Sequence, residues 1–100
     1  MSYTLKFTNQ ANTDVRKVTT YIKEELYEPG IAEQFLRGVY ARIKDLEENA
    51  SIYSISMYQD VLAYGDNARH IMYKGFVIIY TIHGDIVLIH RIIHGSLIRG

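Results

Sequence analysis

The sequence predicts an α+β domain of order β-α-α-β-β-β, a small antiparallel sheet with a helical hairpin packed on one face. Three observations carry this expectation. Two apolar stripes at helical spacing follow one another with a short joint at Pro29-Gly30 between them. The residues before the first stripe, and most of those after Ala68, have the pattern of strands. Gly75 and His83-Gly84-Asp85 then divide the last third into strand-sized pieces.

Taken in order, Tyr3-Thr4-Leu5-Lys6-Phe7 alternates apolar and polar residues, the period of a half-buried strand. Thr8 or Asn9 offers a side-chain oxygen to cap a helix. Ala11, Val15, Val18, Ile22 and Leu26 line one face of a helix of about five turns. Pro29 stops it, because the residue before a proline disfavours helical geometry, and Gly30 adds a joint. Ala32, Phe35, Leu36, Val39, Ile43 and Leu46 form the second stripe, with Glu33, Arg37, Arg42, Lys44 and Glu47 opposite and an end near Asn49. So short a joint folds the two helices back on each other.

Residues 50–68 follow no period and read as a long loop with room for a short strand. Arg69–Lys74, Phe76–Ile82 and Ile86–Ile93 are rich in β-branched and aromatic residues, and their short connections make an antiparallel meander. Ideal alternation places Val87, Ile89 and Ile93 on one face of the last strand, and Ile86, Leu88 and Ile92 on the other. Helices cover one sheet face, so the second must meet the 50–68 loop, a second copy or a separate chain.

One hundred residues make one domain, 1–100, and a hydrophobic fraction of 48% suffices for one core. Cysteine is absent, which excludes disulfides and thiolate metal sites. The amino terminus has no leader pattern, and the apolar runs fall short of the ~20 residues a membrane helix needs. The expectation is a cytoplasmic protein. Net charge is zero, which argues against broad electrostatic binding of nucleic acid. The charge is unevenly spread. Residues 1–68 hold seven Lys/Arg against ten Asp/Glu, whereas residues 69–100 hold Arg69, Lys74, Arg91 and Arg99 against Asp85. All four histidines, His70, His83, His90 and His94, lie in that second part, where anion-directed chemistry is to be sought.

The opening Tyr-x-Leu-x-Phe-Thr-x-x-Ala (Tyr3 to Ala11), Arg69-x-x-x-Tyr73, Val77-Ile78-Ile79-Tyr80, Ile86-Val87-Leu88-Ile89 and the closing Arg91-Ile92-Ile93-His94-Gly95 occur in sequence. In order and spacing this is similar to the RelE/ParE toxin superfamily, the plasmid-stabilisation proteins, over nearly the whole chain. The resemblance implies a type II toxin that arrests growth and is neutralised by a cognate antitoxin protein. RelE-like members inhibit translation by metal-free cleavage of messenger RNA on the ribosome, and ParE-like members poison DNA gyrase without cutting RNA. The first reading here is the endoribonuclease; the alternatives are a gyrase poison or an inactive homodimeric relic.

Cleavage by 2′-hydroxyl attack needs a base, cationic donors for the phosphorane and an acid for the leaving oxygen. Arg69 and Arg91 match basic positions of the family and would grip phosphate, since guanidinium binds it bidentately. Their other use is in structural ion pairs. His94, at the end of the last strand, would be the acid/base. It shares a site with Arg91 only if the strand bulges or ends first, because the two point to opposite faces. Tyr53, Tyr73 and Tyr80 would stack a base, or simply pack. The stretch from Leu46 to Ala68 has no Lys or Arg, a departure from the basic surroundings usual in the nucleases. His90 and His94 stand about 13 Å apart on a strand, too far to share an ion, so no metal and no cofactor are expected. A homodimer and a heterotetramer with antitoxin are both compatible with the sequence.

Overall fold

A computed structural model describes residues 2–99. Strand β1 (Thr4–Phe7) leads into helix α1 (Asn9–Thr20), which runs on through one wider π turn at Tyr21–Glu25. Thr8 is the cap: its Oγ1 accepts a hydrogen bond from the Ala11 amide at 3.0 Å. Helix α2 spans Pro29–Lys44, and the short α3 (Leu46–Asn49) continues it to the expected end. Pro29 thus begins the second helix, where a first-turn amide has no intrahelical partner to lose. The joint lies at residues 26–28, not at Gly30, and turns through Tyr27 at φ 54°.

Strands β2 (Arg69–Tyr73), β3 (Phe76–His83) and β4 (Ile86–His94) form the expected antiparallel meander. The sheet as a whole is mixed, which corrects the all-antiparallel expectation. Its order is β1-β4-β3-β2, and β1 runs parallel to β4, from Thr4 opposite Ile86 to Phe7 opposite Ile89. The meander fills both edges of β3, and the helical connection supplies the long crossover that a parallel partner on β4 requires.

A second correction concerns which face each residue occupies. Ile79 lies opposite Arg91, but Tyr80 lies opposite Ile89, so His90 is the extra residue of a β-bulge. Beyond it the alternation of β4 is reversed. Ile92, not Ile93, joins Val87 and Ile89 against the helices.

On that side Ala11, Val15, Phe35, Val39 and Ile43 pack against Ile71, Ile78, Tyr80, Val87, Ile89 and Ile92. On the opposite side Val61, Ala68, Val77 and Ile79 form a smaller cluster, with Tyr64, Ile93 and Ile98 packed against it. The 50–68 segment contains no strand. It folds as a 3₁₀ turn (Ala50–Ile52) and a single helical turn, α4 (Gln59–Leu62), and with the tail it covers part of the second sheet face.

Gly38 of α2 lies against Tyr73, and a Cβ there would overlap the hydroxyl and ring of that side chain. Alanine gains about 1 kcal/mol of helix propensity over glycine, but overpacking costs about 1–3 kcal/mol. Gly38→Ala is therefore expected to destabilise the protein in urea unfolding, and Tyr73→Phe in that background to restore part of the loss. An increase in stability from Gly38→Ala alone would show that Tyr73 moves aside freely.

Candidate functional site

Arg69 begins β2 and faces the helices, opposite Tyr80. Its Nη1 donates to the Tyr53 carbonyl at 2.9 Å and to the Ala50 carbonyl at 3.3 Å. The buried Tyr80 hydroxyl donates to the same Ala50 oxygen at 2.7 Å, and burial raises its pKa to about 12. Arg69 thus closes the turn that follows α3. Its Nε is buried and unpartnered. Arg42 joins this corner, donating to the Tyr53 hydroxyl at 3.0 Å and to the Met72 carbonyl at 3.2 Å.

Arg91 lies on the other face, opposite Ile79. Its guanidinium reaches around the edge of β4 to Asp14 on α1, with Nε at 2.7 Å from Oδ2 and Nη2 at 3.1 Å from Oδ1. Asp14 Oδ2 also accepts from the Ile92 amide at 3.0 Å, so one buried carboxylate holds three donors. The bidentate pairing pushes the Arg91 pKa further up.

His94 is exposed at the end of β4, opposite Phe76, with its Nδ1 2.8 Å from the Ser96 hydroxyl. It faces the helix side, as Arg69 does. Their partners on β3, Phe76 and Tyr80, are four residues apart, about 13 Å along a strand. The bulge precedes Arg91, so it does not bring Arg91 and His94 to one face. The three sequence-predicted residues therefore occupy three separate places. Tyr53 and Tyr80 belong to the Arg69 corner, while Tyr73 packs against Phe35 and the helix side.

Two features had no signal in the sequence. The first is an apolar lip along β2. Ile52, Ile55, Met57, Tyr58 and Met72 are all exposed, Met57 at 90%. Met72, Tyr58 and His70 line one shallow groove with Val77, Gly95 and Ile98, and Tyr58 and His70 line a second with residues 53–57. No periodicity marked residues 50–68, so their alignment beside β2 was invisible. The second is a side-chain cluster on the outer face, where Thr81 meets His83 and His90.

The chain matches the family model for the ParE toxin of the parDE type II toxin-antitoxin system over residues 5–98. Among solved structures it resembles the chromosomal ParDE toxin-antitoxin system from P. aeruginosa, with a TM-score of 0.77 at 18% identity, covering 93% of this chain and 96% of that one. It also resembles the toxin-antitoxin complex RelBE2 from Mycobacterium tuberculosis, with a TM-score of 0.60 at 18% identity, covering 94% and 99%. No match is found among curated proteins.

Burial lowers the pKa of His70, and burial together with the nearby His83 lowers that of His90. The unfolded chain then binds more protons than the folded one below about pH 6.5, the ordinary histidine value. Stability contributed by these neutral imidazoles is present above that pH and lost as pH falls through the depressed folded values. Thermal melts taken from pH 7.5 down to 5 should show a falling midpoint, and the fall should be shallower in His70→Asn/His90→Gln. An equal slope in both proteins would assign the acid sensitivity to carboxylates instead.

Proposed function

The chain belongs to the ParE toxin family of type II toxin-antitoxin systems, and from that premise we propose that it is a ParE-like toxin: it binds and poisons DNA gyrase without cutting RNA, and a cognate antitoxin silences it. The observation that carries this reading is the separation of Arg69, Arg91 and His94. Metal-free cleavage needs cationic donors and an acid/base within hydrogen-bond reach of one phosphate. Here one guanidinium is bonded to two backbone carbonyls, the other is held by Asp14, and the histidine stands apart from both. Such residues serve the fold first. A toxin that works by binding needs only a stable scaffold and an adaptable surface.

The apolar lip supports the antitoxin part of the proposal. Exposed apolar residues side by side mark interaction surfaces, and the methionines Met57 and Met72 adapt readily to a partner. The two similar solved structures are of toxin-antitoxin systems. The antitoxin in this reading covers the lip beside β2, and RelE-like messenger-RNA cleavage becomes the competing outcome of the test.

Expression of the chain without antitoxin, followed within minutes by mapping of RNA 5′ ends, is the deciding measurement. Intact messages with gyrase-linked DNA breaks are expected, and His94→Ala should arrest growth as the parent does. New 5′ ends inside reading frames, lost in His94→Ala, would overturn the proposal in favour of a nuclease. Normal growth would instead fit the inactive relic.

Met57→Asp places a charge on the lip without touching the core. It should weaken antitoxin binding about tenfold or more, roughly 1.4 kcal/mol, as read by calorimetry. Unchanged affinity would move the antitoxin to another face.

A further inference from the structure

The outer face of the sheet is covered only in part, and its open part carries an unusual cluster. Thr81 on β3 is buried to 1% exposure, and its single hydroxyl lies 2.6 Å from His83 Nε2 and 2.8 Å from His90 Nε2. His83 follows Thr81 by two positions on the same strand and so faces the same way. His90 is the bulge residue of β4, and the bulge aims its ring at Thr81. Two imidazoles from different strands thus point the same ring nitrogen at one spot.

We propose that His83 and His90 form a binding site for a borderline divalent metal ion of the zinc and nickel class. The donor chemistry fits, because neutral imidazole is a preferred ligand of these ions. The separation of the two Nε2 atoms cannot exceed the sum of their bonds to the hydroxyl. A tetrahedral ion with bonds of about 2.0–2.1 Å needs them roughly 3.3 Å apart. His83 is exposed, and a turn of its ring about the side-chain bonds closes the difference.

The protons balance without loss. One hydroxyl proton cannot serve two nitrogens, so one imidazole accepts from Thr81 while the other donates to it through Nε2–H. On metal binding the donating ring moves that proton to Nδ1, both Nε2 lone pairs face the ion, and waters complete its shell. Tyr64 packs against His90 with ring centroids 5.4 Å apart and the planes tilted by 42°, and its hydroxyl accepts from Arg91 at 3.3 Å. Lys6 of β1 lies opposite Leu88 and shares this face, and Asp85 sits in the turn after His83. An ion here would tie the turn end of the β3–β4 hairpin to the bulge. The sequence spacing addressed only His90 with His94 and had no means of seeing the cross-strand pair.

The four histidines supply an internal control. The untagged full chain is titrated with Zn²⁺, then separately with Ni²⁺, at about pH 7.5, and the histidine ring resonances are followed by NMR. The proposal expects the His83 and His90 signals to respond together and to saturate at one ion per chain. The response should weaken as the pH is lowered, because protons compete with the ion for the ring nitrogens. His83→Ala, a change at an exposed position, should weaken binding about tenfold or more with an unchanged melting midpoint in the metal-free state. The absence of any response at stoichiometric metal would overturn the site. So would a response of all four histidines together in excess metal, or binding left unweakened by His83→Ala.

Discussion

Strand β4 is longer than its parallel neighbour, and the rest of the molecule is arranged around that mismatch. Past Phe7 the edge of β4 has no strand to pair with, and its backbone groups turn to the start of α1 instead. The Thr8 amide donates to the Ile89 carbonyl, the Thr8 hydroxyl donates to the His90 carbonyl, and Asp14 accepts from the Ile92 amide. Thr8 caps α1 as well, so one residue ends β1, begins the helix and satisfies the bulged strand. Asp14 then fastens the second turn of α1 to Arg91. Removing one member of a well-buried ion pair costs about 3–5 kcal/mol, and Arg91 is partly wet, which places this pair nearer the lower end. Against a total of about 5–15 kcal/mol for a domain, that single carboxylate is a large share of the stability.

The same junction explains what the sequence could and could not convey. Helical stripes are local and largely survive: Ala11 and Val15, then Ala32, Phe35, Val39, Ile43 and Leu46, are buried, while Leu26, read as the end of the first stripe, lies exposed in the joint. The meander is local too, because Gly75 and Gly84 take the positive φ that its turns need. The bulge at His90 carries no glycine or proline to announce it, so strict alternation assigned Ile92 and Ile93 to the wrong faces. The parallel pairing of β1 depends on residues about 80 positions away, which no local pattern records.

Site residues follow that logic. Arg69 and Arg91 are conspicuous as residue types, yet their partners are two backbone carbonyls and a carboxylate 77 positions earlier. The charge asymmetry after residue 68 has a structural origin. Two of the four cations there, Arg69 and Arg91, sit on strands and tie them to the helical side. Arg69 meets the end of α3 and the turn after it, and Arg91 meets α1. Guanidiniums bonded from the strands to a helix carboxylate and to turn carbonyls hold the scaffold together across its layers. The chain as a whole carries a net charge of zero, so no overall positive field draws in a polyanion.

What remains for recognition is the surface that this stapling does not use. Residues 52–58 run beside β2, where Ser56 donates to the Ala68 carbonyl and Arg42 to that of Met72, so the edge is already partly closed to strand addition. The side chains above it are a different matter. Ile55, Met57, Tyr58 and Met72 project from short, irregular or edge elements that make few cross-layer bonds, and methionine repacks at small cost. On the proposed reading a toxin must present one surface to an antitoxin and remain competent for a target once that partner leaves. A rigid core carrying an adaptable lip meets both demands, because the Asp14 staple keeps the fold in place whether or not the lip is covered.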